Sequence, residues 1–289
     1  MNVLLTGASG FIGSQLSRKL ITSGHRVMPV SRKPGSPYTW ADSSLREGVQ
    51  KADAVIHLVG ENLFSKRWSA RQKEILRSSR IDSTKKLAAL VGARKPSCFI
   101  SASAVGFYGP SATAQFRESS PPGNDFLAEL CADWENATSA AAQAGVRTAI
   151  VRTGVVLGSG GGALSKMLLP FKLGLGGPLG SGKQWVSWVH IDDITSLYLF
   201  LLENQSASGA FNGCAPVPVN MKEFAKALGR ALHRPALFPV PAPMLRLALG
   251  EVADILLTGQ YVVPQRAMDA GFRFQFTDVQ AAFESVVGR

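Results

Sequence analysis

The segment NVLLTGASGFIGSQLSRKL, residues 2–20, carries the most informative fold signal in the chain. A short apolar run opens it, a turn with Gly7, Gly10 and Gly13 follows, and an amphipathic stretch closes it. Glycines at these places allow a tight turn, and they let backbone amides approach a pyrophosphate without a Cβ in the way. The segment therefore predicts a strand, a phosphate-binding turn and a helix whose N-terminus points at negative charge.

Two further strand-like segments extend this pattern. HRVMPV, residues 25–30, follows the first helical stretch, and DAVIHLVG, residues 53–60, comes after it. Such alternation of strands and helices is typical of a parallel sheet covered on both faces. We predict an α/β protein with a Rossmann, doubly wound parallel sheet. In its first turn we expect dinucleotide contacts from Thr6, Gly7, Gly10, Phe11, Ile12 and Gly13.

The organisation of the chain is predicted to be discontinuous. Residues 1–157 form the Rossmann part, which residues 188–214 complete. A smaller substrate-binding part combines the glycine-rich residues 158–187 with residues 215–289, where a proline-rich entry precedes an amphipathic helix.

The end of the second predicted strand indicates which dinucleotide binds. An NAD site places an acidic residue about twenty positions beyond the glycines, whereas this chain has Ser31, Arg32 and Lys33 there and no Asp or Glu between residues 14 and 41. Basic side chains suit a 2′-phosphate. We therefore predict NADP(H), the alternative being that these are ordinary surface residues.

Composition limits the class of protein. Apolar residues make up 46% of the chain, charged residues 18%, and the mean hydropathy is +0.10, which favours a globular protein over a disordered one. Cys98, Cys131 and Cys214 lie far apart without a C-x-x-C pair, which argues against a disulfide framework or a metal site. Apolar runs such as residues 197–202 are too short for a membrane span. We expect a cytoplasmic protein, a monomer or a homodimer, with no metal and no membrane partner.

The net charge of +11 raises the question of a polyanionic partner. Residues 61–100 hold many of the basic side chains on a helical pattern, which predicts a solvated basic face rather than a nucleic-acid site, because interleaved aromatic residues are missing. These side chains are Lys66, Arg67, Arg71, Lys73, Arg77, Arg80, Lys85, Lys86, Arg94 and Lys95.

Several segments have the form and order of the motifs of one superfamily. They are TGASGFIG (6–13), DAVIHLV (53–59), FISASAVGFYG (99–109), VRTGVVLG (151–158) and WVHIDDI (188–194). In them the chain resembles the extended short-chain dehydrogenase/reductase superfamily over nearly its whole length. The resemblance implies a Rossmann fold and a nicotinamide cofactor.

A narrower likeness is to an atypical, epimerase-like group of unassigned substrate. It rests on Gly60 to Asn62, on RWS at 67–69, on the long segment 168–193 and on LLTGQYVVPQRAMDAGFRFQF at 256–276. This resemblance implies NADP(H) binding and an oxidoreductase or epimerase activity on an unidentified small molecule.

The chain departs from the extended superfamily in its catalytic pair. Members carry Y-x-x-x-K followed four residues later by an acidic residue, and alignment of that residue with Glu135 places Leu127 and Cys131 where tyrosine and lysine should be. In the parent mechanism tyrosine exchanges a proton with the substrate and lysine lowers its pKa. A leucine and a thiol cannot do this. We interpret Cys131 as a buried packing residue.

Other residues are candidates for the missing functions. Ser103 leaves the serine-bearing strand, and Tyr108 follows it closely, so we predict Ser103 to position substrate and Tyr108 to act as the proton donor, unless Tyr108 only packs in its loop. Further cofactor contacts are assigned to Ser31, Arg32, Lys33, Leu58, Gly60, Glu61 and Asn62, with loop capping as the alternative for the last two. Substrate contacts are assigned to Lys183, Gln184 and Trp185 in the glycine-rich loop.

His190, Asp192 and Asp193 form a cluster that could suggest a metal or a general base. No further His or Cys lies nearby with ligand spacing, so we interpret one of the two aspartates as the N-cap of the following helix.

Two functions of different classes remain open from the sequence. One is an NADP(H)-dependent oxidoreductase or epimerase-like enzyme. The other is a catalytically silent NADP(H)-binding sensor or regulatory scaffold. The missing Tyr and Lys favour the silent protein, whereas the retained pocket segments favour the enzyme.

Overall fold

The computed structural model describes residues 1–33 and 35–288. The strands, in chain order, are β1 (Asn2–Thr6), β2 (Arg26–Ser31), β3 (Tyr38–Thr39), β4 (Ala54–His57), β5 (Cys98–Ala104), β6 (Gln115–Phe116), β7 (Arg147–Thr153), β8 (Val155–Leu157), β9 (Trp185–Val186), β10 (Trp188–His190), β11 (Gly209–Gly213), β12 (Val219–Asn220) and β13 (Tyr261–Val262).

Helices connect these strands. They are α1 (Phe11–Thr22), α2 (Asp42–Lys51), α3 (Ala70–Arg94), α4 (Phe126–Asn136), α5 (Ser139–Gln143), α6 (Gly162–Lys172), α7 (Ile191–Glu203), α8 (Met221–Ala231), α9 (Ala242–Leu249), α10 (Asp254–Leu257), α11 (Gln265–Asp269) and α12 (Val279–Val287), with short 3-10 helices at Val105–Tyr108 and Gly250–Ala253.

Within the described residues, the main sheet has seven parallel strands in the order β11-β7-β5-β4-β1-β2-β3. From β1 the chain winds outward to β2 on one side and to β4 on the other. The topological switch point therefore lies between β1 and β4, where α/β sheets of this kind bind ligands at the carboxyl ends of the strands. The predicted α/β class and doubly wound parallel sheet are confirmed.

The two faces of the sheet bury alternate residues of each strand. Val3 and Leu5 pack with α1 and α7 on one face, while Leu4 packs with α2 and α3 on the other. This alternation follows from the two-residue period of a strand, and it explains why β1 is apolar at every position between its ends.

A second core lies beside the sheet. Strands β8 and β10 pair in parallel, and α6, α8 and α12 pack around them. Phe224 of α8 and Phe283 of α12 meet edge to face with ring centroids 4.9 Å apart. This core holds the glycine-rich segment and the C-terminal helices against the carboxyl end of the sheet.

Helix α7 begins differently from the prediction. His190 is its N-cap, and the imidazole accepts a hydrogen bond of 3.1 Å from the amide of Asp192. Asp193 instead accepts from the amides of Gln275 and Phe276 at 2.8 and 2.9 Å, so it ties the C-terminal segment to α7. The aspartate cap was wrong because that pairing spans more than eighty residues of sequence.

Candidate cofactor and substrate site

The glycine turn after β1 requires glycine at two of its positions. Gly7 has φ of +76°, and a Cβ there would lie 3.0 Å from the carbonyl oxygen of Leu58. A Cβ on Gly13 would lie only 2.0 Å from the carbonyl oxygen of Gly7. Helix α1 starts after Gly10 without a side-chain cap, so its first amides are left to a ligand. This arrangement suits a pyrophosphate.

Thr6 supports the turn from inside the protein. Its side chain is fully buried, and its hydroxyl lies 2.6 Å from Nδ1 of His57 at the end of β4. Ser83 lies 3.3 Å from Nε2 of the same ring. Burial lowers the pKa of His57 to about 3, which keeps the imidazole neutral at physiological pH. Thr6 and His57 thus fix the ends of β1 and β4, where the cofactor residues begin.

The residues predicted to choose between NAD and NADP lie at the end of β2. Ser31 ends the strand and its Oγ accepts from the amide of Lys33 at 3.0 Å. Arg32 and Lys33 are exposed at the same edge of the sheet as the glycine turn. Their positive charge is therefore available to a phosphate on the adenosine ribose.

The loop after β4 uses its polar groups locally. Asn62 accepts through Oδ1 from the amide of Phe64 at 2.8 Å, which is the loop-capping alternative for this residue. The amide of Glu61 donates to Ser79 at 3.1 Å, and its carbonyl accepts from Arg80 at 2.8 Å. Gly60 lies against the same guanidinium, because a Cβ there would be 3.0 Å from Arg80 Cζ.

A cavity of about 400 Å³ starts at the glycine turn and extends between the sheet and the C-terminal segment. Phe11 borders it at the turn, and Leu63 and Phe64 border it after β4. Helices α4, α6 and α8 and residues near 255–260 line much of the rest, together with residues that follow β5 and β7 and with strand β9. Ile12, in contrast, packs into the core beside the sheet. The cavity thus joins the cofactor turn to the second core.

A wider surface depression of about 540 Å³ lies elsewhere, between the starts of β7 and β11. It is at the amino ends of the strands, away from the glycine turn. Ligands of doubly wound sheets bind at the carboxyl ends, so the cavity beside Phe11 is the better candidate site.

Leu127 and Cys131 both line the cavity from α4. Burial, with a smaller contribution from nearby Glu135, raises the pKa of the Cys131 thiol to about 12, although Arg80 opposes the rise. The thiol is therefore protonated and unreactive at neutral pH.

Ser103 and Tyr108 do not border the cavity, although both were predicted to act on substrate. Ser103 donates to Glu135 at 2.7 Å, and Glu135 forms a buried ion pair with Arg152 at 2.8 Å. Arg152 also donates to the hydroxyl of Tyr108 at 2.9 Å, which in turn donates to Asn212 at 2.7 Å. We call these five residues the buried network.

The buried network changes the interpretation of both hydroxyls. Burial raises the pKa of Tyr108 to about 12, and its side chain is only 3% exposed. Its oxygen bonds to Arg152 and Asn212, so the hydroxyl is directed into the buried network rather than into the cavity. The placement favours the packing alternative for Tyr108 and a structural role for Ser103.

The glycine-rich loop places one of its three candidates at the cavity. Trp185 lines it, donates through Nε1 to the carbonyl of Ala112 at 3.1 Å and meets Tyr261 edge to face. Gln184 is turned inward and donates to the carbonyls of Leu179 and Leu256 at 2.9 and 2.8 Å. Lys183 is exposed and does not border the cavity. Both residues precede β9, which begins at Trp185, and substrate contacts from them stay a prediction.

Charged side chains are few around the cavity. Arg80 and Asp125 are the charged residues that line it within the described part of the chain. Asp125 accepts from the amide of Ala128 at 2.8 Å and so caps α4. Arg80, counted in the sequence among solvated basic residues, is 9% exposed and lies over the ring of Trp134 at 5.2 Å. No motif signalled it, because only its position on the inner face of α3 distinguishes it from its neighbours.

Neither a metal centre nor a membrane segment is found in residues 1–33 and 35–288. No group of three or more His, Cys, Asp or Glu side chains there could hold a metal ion. No helix in that part of the chain is long and apolar enough to cross a bilayer.

The chain is similar to several known proteins over its full length. It is 44% identical to the epimerase family protein SDR39U1 of Mus musculus, over 99% of this chain and 100% of that protein. It is 40% identical to the chloroplastic SDR39U1 homologue of Arabidopsis thaliana, over 99% of this chain and 87% of that protein. The crystal structure of human SDR39U1 (isoform 2) with NADPH covers all of both chains, with 38% identity and a TM-score of 0.94.

Family profiles divide the chain into two matched segments. Residues 240–286 match a domain of unknown function, DUF1731. Residues 3–213, which contain the glycine turn, the whole main sheet and most of the elements around the cavity, match the NAD dependent epimerase/dehydratase family. With this match and the full-length relatives, the chain belongs to the NAD dependent epimerase/dehydratase family.

Proposed function

We propose that this chain binds NADP(H) along the carboxyl edge of the sheet and acts as an oxidoreductase or epimerase-like enzyme on a small molecule in the cavity. The observation that carries the proposal is the continuity of the glycine turn with the cavity at Phe11, in a chain 38% identical to a relative whose structure contains NADPH. The described residues fit the cofactor. The amides of the turn can donate to a pyrophosphate, and the basic side chains of Arg32 and Lys33 can bind a 2′-phosphate.

The cofactor, when bound, supplies or accepts a hydride in the cavity. The protein's own part is to orient the ligands and to exclude water from the site. Phe11 packs against Gly161 and Gly162 at the mouth of the glycine-rich segment, where their missing side chains make room for its ring. Trp134 and Trp185 enclose the cavity from α4 and β9. These apolar walls strengthen any electrostatic contact made inside them.

The cofactor assignment is tested by the choice between NADPH and NADH. Arg32→Ala should weaken NADPH binding by about 1 to 3 kcal/mol, the range for a lost charge-assisted contact, and leave NADH nearly unchanged. Arg26→Ala, at the opposite end of the same strand β2, is the matched control and should change neither affinity. Fluorescence titration with both cofactors measures this. Equal weakening of NADPH and NADH by Arg32→Ala would contradict the assignment.

A second candidate is a catalytically silent NADP(H)-binding sensor or scaffold. Two observations favour it. Leu127 and Cys131 stand where the catalytic tyrosine and lysine are expected, and the hydroxyls of Ser103 and Tyr108 form hydrogen bonds inside the buried network. Incubation of the protein with NADPH and a panel of aldehydes, ketones and quinones separates the two candidates. Sustained oxidation of NADPH above the blank excludes the silent protein.

We also propose how the chain is organised and where the protein is located. The Rossmann part comprises residues 1–157 with 188–214, and residues 158–187 with 215–289 form the substrate part. A cytoplasmic location stays a prediction, since the Arabidopsis relative is named as chloroplastic. A monomer or a homodimer, without a nucleic-acid partner, is expected, and size-exclusion chromatography with light scattering tests the oligomeric state.

A further inference from the structure

Arg80 is an unusual side chain for the wall of an apolar cavity. It is 91% buried, since its exposed fraction is 9%. Two of its N–H groups donate to the carbonyl oxygens of Leu76 and Glu61, at 3.1 and 2.8 Å. The guanidinium has five such donors. Arg80 is one of the side chains that line the cavity, and these two hydrogen bonds leave further donors for a ligand there.

No carboxylate in the described residues forms an ion pair with Arg80. Arg152, the comparably buried arginine, has Glu135 at 2.8 Å. Asp125 borders the same cavity as Arg80 but caps α4. Burial of a cation is costly unless hydrogen bonds or an opposite charge compensate it. Two carbonyls, the face of Trp134 and the attraction of the nearby Glu61 carboxylate compensate Arg80 in part. A ligand oxygen can complete its partners.

The other polar side chains around the cavity already have partners in the protein. Ser187 donates to the carbonyl of Gln260 at 2.7 Å, and Gln260 donates to the carbonyl of Val105 at 2.8 Å. Thr258 donates to the carbonyl of Asp254 at 2.6 Å. A sugar with several hydroxyls would therefore find few free hydrogen-bond donors on these side chains, and unpaired buried hydroxyls weaken binding.

The remaining wall is apolar. Apolar side chains from many elements contribute to it, among them Leu63, Leu130, Met167, Phe224 and Ile255, which come from five different elements or loops. A ligand gains affinity here by transferring carbon surface out of water. The wall thus fits a hydrocarbon body, with one place for an oxygen acceptor.

We propose that the cavity binds a molecule with an apolar body and one carbonyl or carboxylate oxygen, which accepts hydrogen bonds from Arg80. This substrate class rests on the proposed function of the same site and excludes nucleotide sugars. Arg80 is then a specificity-determining residue, and it supplies the only cation of the described cavity wall.

Calorimetric titration of the NADP⁺-saturated protein tests the apolar part of this proposal. The probes are 2-hexanone, 2-octanone and 2-decanone, decanoate, and UDP-glucose. Affinity should rise about fourfold for each added methylene, the factor that corresponds to its transfer from water. Decanoate compared with 2-decanone distinguishes a carboxylate from a neutral carbonyl. Binding of UDP-glucose, or no binding of any ketone or of decanoate, would overturn the proposal.

Substitution of Arg80 tests its role. Arg80→Met should weaken binding of the preferred ten-carbon probe about tenfold to a hundredfold, the usual effect of a lost hydrogen bond to a charged group. Arg71→Met, which removes an exposed arginine from the same helix α3, should have no effect. Arg80→Lys keeps a cation and should weaken binding less than Met, which keeps the test valid if the Met variant unfolds.

NADPH titration of the same variants separates this inference from the proposed function. Retained NADPH affinity in Arg80→Met, with weakened probe binding, supports the ligand role of Arg80. Equal losses of NADPH and probe affinity would assign Arg80 to the cofactor and overturn the inference. Failure of the wild-type protein to bind NADPH would instead overturn the proposed function.

Discussion

The glycine turn and the polar wall, meaning the buried network together with Arg80, are specified by the sequence in different ways. The close contacts of the turn's glycines are made with Gly7 and Ala8 inside the turn and with Leu58 after β4. The wall depends on pairs such as Ser103 with Glu135 and Tyr108 with Asn212, which are 32 and 104 residues apart in sequence. A local motif therefore identifies the turn, whereas the wall is defined by long-range pairing.

The largest expected effect comes from the ion pair at the centre of the wall. Arg152→Met leaves the Glu135 carboxylate buried without its partner, so the free energy of unfolding should fall by about 3 to 5 kcal/mol. Urea denaturation measures the change. Arg246→Met, which breaks an exposed pair with Asp254, should stay within about 1 kcal/mol of the wild type. Similar small losses for both variants would show that the wall does not depend on this pair.

The fold could be predicted in more detail than the site. The glycine spacing and the apolar strands at residues 25–30 and 53–60 predict the parallel sheet, because they depend on local geometry and on burial of both sheet faces. The prediction of NADP(H) agrees with the NADPH in the structure of the human relative. The sheet and the cofactor could be predicted because a short stretch of the chain determines each of them.

The wall could not be predicted in the same way. Tyr108 follows the serine-bearing strand closely, but sequence proximity does not determine which way its hydroxyl points, and the structure turns it towards Asn212 of β11. Arg80 looked like one of many basic residues on a surface helix. A shift of one position along a helix decides whether such a side chain meets solvent or the cavity. The charge pattern of this 25-residue helix did not reveal that Arg80 lies on its inner face.

His57 ends strand β4, which lies between β1 and β5 in the sheet. Its titration makes the stability of the protein depend on pH. Its pKa is lowered from 6.5 to about 3 by burial, so the unfolded chain takes up a proton below pH 6.5 and the folded protein does not. Stability from this group is complete above pH 6.5 and is lost as pH falls towards 3. The loss reaches about 2 kcal/mol at pH 5, because each pKa unit corresponds to 1.4 kcal/mol.

The measurement is the pH slope of the unfolding free energy between pH 8 and pH 5. His57→Asn removes the titrating group. The fall in unfolding free energy between pH 8 and pH 5 should therefore be about 2 kcal/mol smaller in this variant than in the wild type, whatever the stability at pH 8. His233→Asn removes an exposed histidine at a positive φ of 54°, which Asn tolerates, and serves as the control. An unchanged slope in His57→Asn would mean that the ring is already charged, or is hydrated, in the folded protein.

The smallest loss of stability is expected from a change of Tyr108, the residue that the sequence analysis predicted to be the proton donor. Tyr108→Phe keeps the ring stacked on Phe116, with centroids 5.2 Å apart, and removes only the hydroxyl between Arg152 and Asn212. The unfolding free energy should fall by about 1 to 2 kcal/mol, because two buried polar groups lose a partner. NADPH affinity and kcat on any substrate found should stay unchanged. Tyr261→Phe, whose ring contacts Trp185, is the control and should keep wild-type stability. A hundredfold fall in kcat for Tyr108→Phe, with stability preserved, would restore the catalytic assignment and require the hydroxyl to leave the buried network during the reaction.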